Sequence, residues 1–315
     1  MEKNIMMEDL AAIILNYNTW AESISCANSI IKHYPSATIY IVDNASTKKM
    51  TNEFQSFINV ENKVNFIQGK ENNGYSAGNN IGIKEAISNN HKFIMICNSD
   101  ICFIDNSLDK MIEFLKINNK CGIVGPQIYD VDDIFQPFYM MCKLDFTGRW
   151  KQIISHIPLL NIISKSFVNR FIEYHEITKP IKAFSVSGCC FIMNNNTARL
   201  LYPLDENTFL YEEEHIIGSV MEKNNKEVYI IPDTHIIHAH GISTNGMTPF
   251  SYMCKVNSEQ YYMKQYLKSS KFQMFIIYKL RCFVYYSKSL TNKNYKNYKK
   301  EFKNGTKNWR RKWKV

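Results

Sequence analysis

The chain has 315 residues, 45% hydrophobic and 21% charged, which suits a folded protein with a sizeable core and excludes a disordered one. Its formal net charge of +9 is unevenly spread: residues 271–315 hold 14 Lys/Arg against one acid, Glu301, while the first 270 residues hold 24 bases against 28 acids. A mildly acidic body therefore carries a strongly basic tail, the asymmetry of a chain that meets an anionic partner such as membrane lipid or nucleic acid.

The elements alternate from the start. MEKNIMMEDL is acidic and lacks a long apolar stretch, so no signal peptide is expected. AAIIL (11–15) predicts a strand, and Trp20, Ile24, Ala27, Ile31 and Tyr34 recur at helical spacing before Pro35. TIYIV (38–42) and VNFIQ (64–68) predict strands, residues 74–90 a helix with glycine entry, and FIMIC (93–97) a buried strand. Residues 106–119 put Leu108, Met111, Ile112 and Leu115 on one helical face, with Asn106 or Ser107 as cap, and CGIVGP (121–126) follows. Residues 130–182 break the rhythm and read as an insertion able to cover a site. The sheet pattern returns at AFSVSGCCFIM (183–193), a helix is expected to begin near Tyr211, and EVYIIP (227–232) is strand-like. Short connections between alternating strands and helices predict an α/β fold with an open, mostly parallel sheet flanked by helices. Nine cysteines without a CxxC pair indicate neither a zinc ribbon nor a disulfide framework, so a reducing cytoplasm is the expected setting. No run of about 18 uncharged apolar residues is present, so no spanning helix is expected.

In such a sheet, ligands bind beyond the carboxyl ends of the strands. There the sequence places Asn16 after the first strand, Asp43 and Asn44 after the second, and Asn98, Ser99 and Asp100 after FIMIC. A carboxylate on a strand tip beside a nucleotide can hold a divalent cation that neutralises a diphosphate. ENNGYSAGNNIG (71–82) spaces Gly74, Gly78 and Gly82 at four residues, so that backbone amides are expected to approach a ligand; it matches neither the dinucleotide nor the Walker pattern. Glu212, Glu213 and Glu214 cluster before an apolar helical run; one of them, raised in pKa by its like-charged neighbours, would serve as a general base. His238 and His240 alternate along a strand and point to one side.

The order IVDNAST (41–47), NNGYSAGNNIG (72–82), NSD (98–100), LDENTFLYEEE (204–214) and IIHAHGIS (236–243) resembles the family-2 glycosyltransferases of the GT-A fold. It is most similar to bacterial rhamnosyltransferase-like members that build surface polysaccharides. The resemblance spans residues 8–245 and stops short of the tail. It implies inverting transfer from a nucleotide-diphosphate sugar, UDP- or dTDP-linked, with Mg²⁺ or Mn²⁺, to a hydroxyl of a glycan or lipid-linked acceptor. Asp43 matches the acid that reads the base, and Gly74 and Asn80 lie in the segment lining the nucleotide site. NSD matches D-x-D with Asn98 in place of the first acid, leaving Asp100 for the metal. Glu213 and Glu214 match the Glu-Asp pair, with Glu214 as base. His238 matches the late histidine at the metal or diphosphate, with His240 as second choice.

The implied organisation is a transferase domain over 1–245, with 130–182 as an acceptor-side insertion, and a basic, aromatic, helical extension over 246–315. The extension is expected to dock on an anionic membrane surface, at the cytoplasmic face; nucleic acid is not expected. A nucleotidylyltransferase would favour an early glycine-rich loop with Arg and Lys, and residues 11–20 have neither. A non-catalytic sugar- or nucleic-acid-binding protein is the other alternative.

Overall fold

A computed structural model describes residues 9–136, 141–155, 177–239 and 247–312; His240 and parts of the 130–182 segment lie outside them. The chain runs β1 (Leu10–Asn16), α1 (Trp20–His33), β2 (Thr38–Asp43), α2 (Asn52–Val60), β3 (Val64–Gln68), α3 (Tyr75–Ser88) and β4 (Phe93–Asn98). It continues through β5 (Ile101–Phe103), α4 (Ser107–Ile117), β6 (Cys121–Gly125), β7 (Ile128–Tyr129), β8 (Phe135–Gln136), α5 (Phe146–Ser155), β9 (Ile181–Ala183), β10 (Cys190–Asn194), α6 (Asn195–Leu201) and α7 (Glu213–Lys223). The described chain closes with β11 (Glu227–Ile230), β12 (Ile236–His238), α8 (Pro249–Gln265), α9 (Lys271–Thr291), α10 (Lys293–Asn297) and α11 (Lys299–Lys312).

An eight-stranded sheet has the order β3-β2-β1-β4-β10-β6-β11-β9. Strands β1 to β4 are mutually parallel where they pair, and β10 enters antiparallel between β4 and β6. The chain leaves β1 toward β2 on one side and returns as β4 on the other, so a crevice opens where the strand order reverses. Strands β1 and β4 are buried along nearly their whole length, as continuous apolar runs in a two-sided sheet demand. A second sheet has the order β5-β12-β7-β8, its β5 following directly on β4 in the chain. It brings residues 101–103 opposite 236–238, with Ile101 paired to His238.

Three expectations are refined. The segment 183–193 is two strands rather than one, because residues 184–189 leave the sheet to wrap the start of α7: Ser185 Oγ donates to the Glu214 carbonyl (2.7 Å) and the Gly188 amide to Glu214 Oε1 (3.2 Å). The helix near Tyr211 begins only at Glu213, since Tyr211 and Glu212 both have φ of 71°, outside helical space. Gly78 and Gly82 do not face a ligand. A Cβ at Gly78 would lie 2.5 Å from Leu15, and one at Gly82 2.5 Å from Ile13, so their use is to let α3 lie directly on the sheet.

The C-terminal helices pack on the body. Tyr261 and Tyr266 both donate to Asp205 (2.6 and 2.7 Å), Ser258 donates to the Leu210 carbonyl, and Tyr262 shares a hydrogen bond with Ser219. Tyr252, Tyr285, Tyr295 and Phe302 form an aromatic cluster, with Tyr285 and Phe302 stacked at 3.7 Å. No helix among the described residues is long and apolar enough to cross a membrane.

The close seat of α3 generates a test. Gly82→Val should overpack the α3–sheet contact and cost about 1–3 kcal/mol. Urea unfolding should show a lower midpoint at unchanged slope.

Candidate active site

The strand tips divide into a support layer and a lining. Asn16 is fully buried: its amide nitrogen donates to Asp43 Oδ1 (2.7 Å) and Ser46 Oγ, and its oxygen accepts from the Thr19 amide and the Thr19 and Ser23 hydroxyls. Asp43 is 1% exposed. Its Oδ1 also accepts from Ser46 Oγ (2.5 Å), and its Oδ2 from the Ser46 amide (3.0 Å) and Gln68 Nε2 (2.7 Å). Four donors meet the carboxylate's four acceptor positions. Asn16 and Asp43 thus brace the β1–β2–β3 tips from behind.

In front of them is a cleft of about 540 Å³, lined in part by Asn44, Asn72, Gly74, Asn98, Ser99 and Asp100. Gly74 has φ of +95°, and a Cβ there would lie 2.1 Å from the Phe209 carbonyl oxygen, so only glycine fits. Asn44 holds this turn by donating to Asn72 Oδ1 (3.0 Å) and the Gly74 carbonyl (3.2 Å). Ser99 Oγ pairs with Thr19 Oγ1 at 2.8 Å. Asn80 does not line the cleft. It bonds Leu204 through both ends of its amide and donates to Glu206 Oε1 (2.7 Å), pinning the 204–206 loop to α3.

Asp100 and His238, 138 positions apart in the chain, meet at the cleft: Nε2 lies 3.3 Å from Oδ1, and the Ala239 amide donates to the Asp100 carbonyl (2.9 Å). Adjacent ligands of an octahedral ion with ~2.1 Å bonds are about 3 Å apart, so this pair fits one divalent cation. Among the described residues no group of three or more His, Cys, Asp or Glu is placed to hold a metal ion. A hard ion here would complete its shell with water and phosphate oxygens.

The three glutamates face three different ways. Glu212, in left-handed conformation, is clamped bidentate by Arg149 (2.8 and 2.6 Å) and approached by His215 Nδ1 (3.3 Å). Burial alone would raise its carboxyl; Arg149 and His215 more than reverse that and hold it at about 2. Glu213 lies toward a separate groove beside Ser76, Leu204 and Tyr266, and its Oε2 has no hydrogen-bond partner. Burial first, then Glu214, pushes its carboxyl well up. Glu214 is held by the Gly188 amide, and the Gly188 carbonyl accepts from the hydroxyl of Tyr75, a cleft residue (2.5 Å). Its carboxyl is also raised, by burial first. Burial pushes the Cys189 thiol well up, and the carboxylates of both Asp100 and Glu214 add to the rise.

Sequence reasoning missed the support of this turn. Arg149 also bonds Glu259 of α8 (3.2 Å), which takes two hydrogen bonds from Arg281 of α9 (2.7 and 2.8 Å). All four side chains are buried. It also missed Phe250, which α8 brings into the cleft 5.7 Å from Phe209, edge to face. Nothing local marks these residues; only the packing of distant helices selects them. Tyr17 and Phe209, by contrast, lie inside motifs already singled out and line the cleft.

Arg149→Met should strand the buried Glu212 carboxylate, leave Glu259 to Arg281 alone, and destabilise the fold by about 3–5 kcal/mol near neutral pH. A lowered folded-state pKa contributes stability that is present above the unfolded value, near ~4, and is lost as pH falls toward the folded value of about 2. Denaturant titrations across that window should show the acid-side slope reduced in the variant.

The comparisons with known proteins agree with this geometry. The model of glycosyl transferase family 2 matches residues 11–196, more than half of the chain. An uncharacterized glycosyltransferase of Rickettsia felis is 22% identical over 259 residues, which cover 75% of this chain and 39% of the relative; the chain therefore spans well under half that relative's length. GalNAc-T7, solved with UDP, GalNAc and Mn²⁺, superposes with a TM-score of 0.61 at 14% identity, over 87% of this chain and 54% of that one. The mannosyltransferase PcManGT of Pyrobaculum calidifontis, solved with GDP-Man and Mn²⁺, gives 0.55 at 10% identity over 93% and 74%. S. aureus TarS 1–349 gives 0.51 at 13% identity over 90% and 73%. At these identities the structural likeness is one of fold, the GT-A type. The strand-tip motifs at 41–47, 72–82 and 98–100 all fall inside the span that the family model matches, and the chain belongs to glycosyl transferase family 2.

Proposed function

We propose that this chain is an inverting glycosyltransferase that moves a sugar from a nucleotide-diphosphate donor to a hydroxyl of a growing surface glycan, in the manner of the rhamnosyltransferase-like members. The observation that carries this reading is the convergence of Asp100 and His238 at 3.3 Å at the strand tips, with Glu214 tied through Gly188 to the cleft residue Tyr75. The solved relatives with a nucleotide or nucleotide sugar and Mn²⁺ support a donor of that class, UDP- or dTDP-linked here, and a divalent cation, Mg²⁺ or Mn²⁺.

Each residue then has a task. Asn44, Gly74, Asn98 and Ser99 shape the wall against which the nucleotide lies. Asp43, braced by Asn16, fixes the loop that meets the base, and Asn80 holds the 204–206 loop over α3. Asp100 and His238 hold the cation, which offsets charge developing on the diphosphate as it leaves. Glu214 takes the proton of the attacking acceptor hydroxyl, because the Gly188 amide holds it and Gly188 is in turn held by the cleft residue Tyr75, whereas Glu213 faces another groove and Glu212 is consumed by Arg149. Residues 1–245 carry this chemistry, and 246–315 supply an extension that contributes Phe250 to the cleft. Acceptor recognition is the role we assign to residues 130–182. A lipid-linked or glycan acceptor places the reaction at the cytoplasmic face of a membrane, and the lysine-rich C-terminal region is the part suited to an anionic leaflet.

Glu214→Gln should keep donor binding and lose transfer by about 10²–10⁴-fold, with Glu213→Gln much milder; the reverse ranking would move the base by one position. Because the working form of Glu214 is ionised and its carboxyl is raised, activity should increase with pH through a limb above the usual carboxylate range, read from kcat/KM against pH. Asp100→Ala should abolish the stimulation of turnover by Mn²⁺ or Mg²⁺ while far-ultraviolet circular dichroism stays that of the parent. Unchanged metal dependence would exclude Asp100 as a ligand.

A further inference from the structure

The aromatic residues of α9 and of the described segment after it divide between core and surface. Tyr295 and Phe302, in the lysine-rich segment after α9, are buried in the cluster with Tyr252 and Tyr285. Helix α9 turns Met274, Ile277, Tyr278, Arg281 and Tyr285 inward. Its outer face carries Phe272 (72% exposed), Phe275 (50%), Phe283 (57%), Tyr286 (41%) and Leu290 (83%). These five recur at i, i+3, i+11, i+14 and i+18, with Lys279 between, its ammonium 5.3 Å over the Phe275 ring. At ~1.5 Å per residue they form one stripe about 27 Å long. Single exposed apolar side chains are ordinary, but a contiguous stripe of them marks a surface that meets a partner.

The charges on the helix say which partner. Residues 271–291 contain no acid, and the exposed Lys271 and Lys279 lie along the stripe, while Lys288 turns to the other side, over the rings of Tyr252 and Tyr295. Beyond α9, exposed Lys293, Lys296, Lys300, Lys303 and Lys307 continue the positive surface against the single acid Glu301. Two copies meeting through this face would bring lysines together without carboxylates to pair them. An anionic lipid surface satisfies both features: aromatic rings favour the headgroup level, and lysine stems lie along apolar surface with the ammonium at the phosphates. The helix is too charged to cross a membrane, which leaves the in-plane seat of an interfacial helix.

We propose that α9 is the membrane-docking element: it lies in the plane of an anionic bilayer with Phe272, Phe275, Phe283, Tyr286 and Leu290 in the interface. This deepens the membrane contact of the proposed function, on which it rests, and assigns it to α9 rather than to the tail aromatics. Removal of residues 291–315 would not test it, because Tyr295 and Phe302 are core residues of the helical cluster.

The test is co-sedimentation of the full chain with phosphatidylcholine vesicles, with and without phosphatidylglycerol. The wild type is compared with Phe275→Ser/Phe283→Ser, whose sites are exposed and whose unchanged melting curve confirms the fold. Wild type should pellet with the anionic vesicles, and much less with the neutral ones. The variant's partition should fall by more than about tenfold, since immersing even one Phe is worth roughly that factor. Wild type remaining in the supernatant would overturn the membrane contact itself, while the transferase reading would still stand or fall on donor turnover. Equal pelleting of the two proteins would overturn the α9 assignment alone. Wild type sedimenting as a dimer that the substitutions dissolve, without lipid binding, would make the stripe a self-association surface and overturn the proposal.

Discussion

A buried chain of alternating charges, Glu212–Arg149–Glu259–Arg281, holds the glutamate-bearing turn in place. Each member would be costly alone in an interior of low dielectric; together the two carboxylates and two guanidiniums neutralise one another and share their hydrogen bonds. The chain joins four segments that are remote in sequence: α5, the turn before α7, α8 and α9. Glu212 adopts a left-handed conformation unusual for its residue type, and the bidentate grip of Arg149 offsets that cost. With Glu212 fixed, α7 starts at Glu213, and Glu214 arrives at Gly188.

The crevice itself is built differently. Behind its floor stand parallel strand tips whose polar groups are bonded to one another before any ligand arrives, among them Asn16, Asp43, Ser46 and Gln68. A floor of this kind is preorganised, so ligand binding does not have to order it. Asp100 sits where the first sheet hands over to the second. The β5–β12 pairing, prolonged by the Ala239 amide on the Asp100 carbonyl, places His238 beside it.

Much of the first half was legible because strand and helix periods there are strong and the connections short. FIMIC, TIYIV and the helix at 107–117 lie where apolar spacing puts them. Asp100 and His238 were separately legible as candidates, and the structure brings them together. The division of labour among Glu212, Glu213 and Glu214 was not legible: three identical side chains in a row differ only in what packs against them. Asn80 and Asp43 fit the motif spacing, but hydrogen bonds commit them to loops behind the cleft, a matter of partners 25 to 126 residues away. The glycines at 78 and 82 looked like ligand contacts because a small residue reads the same whether a ligand or a sheet lies against it.

Phe250 carries a consequence of a different kind. It enters the cleft from α8, whereas the groups that converge for chemistry stand on the strand tips and the start of α7. The wall and the reactive set therefore belong to separately mutable parts of the chain. On the proposed reading, divergence in the C-terminal helices can reshape what the crevice admits while Asp100, His238 and Glu214 stay as they are, so that a new acceptor preference is reached without passing through an inactive intermediate.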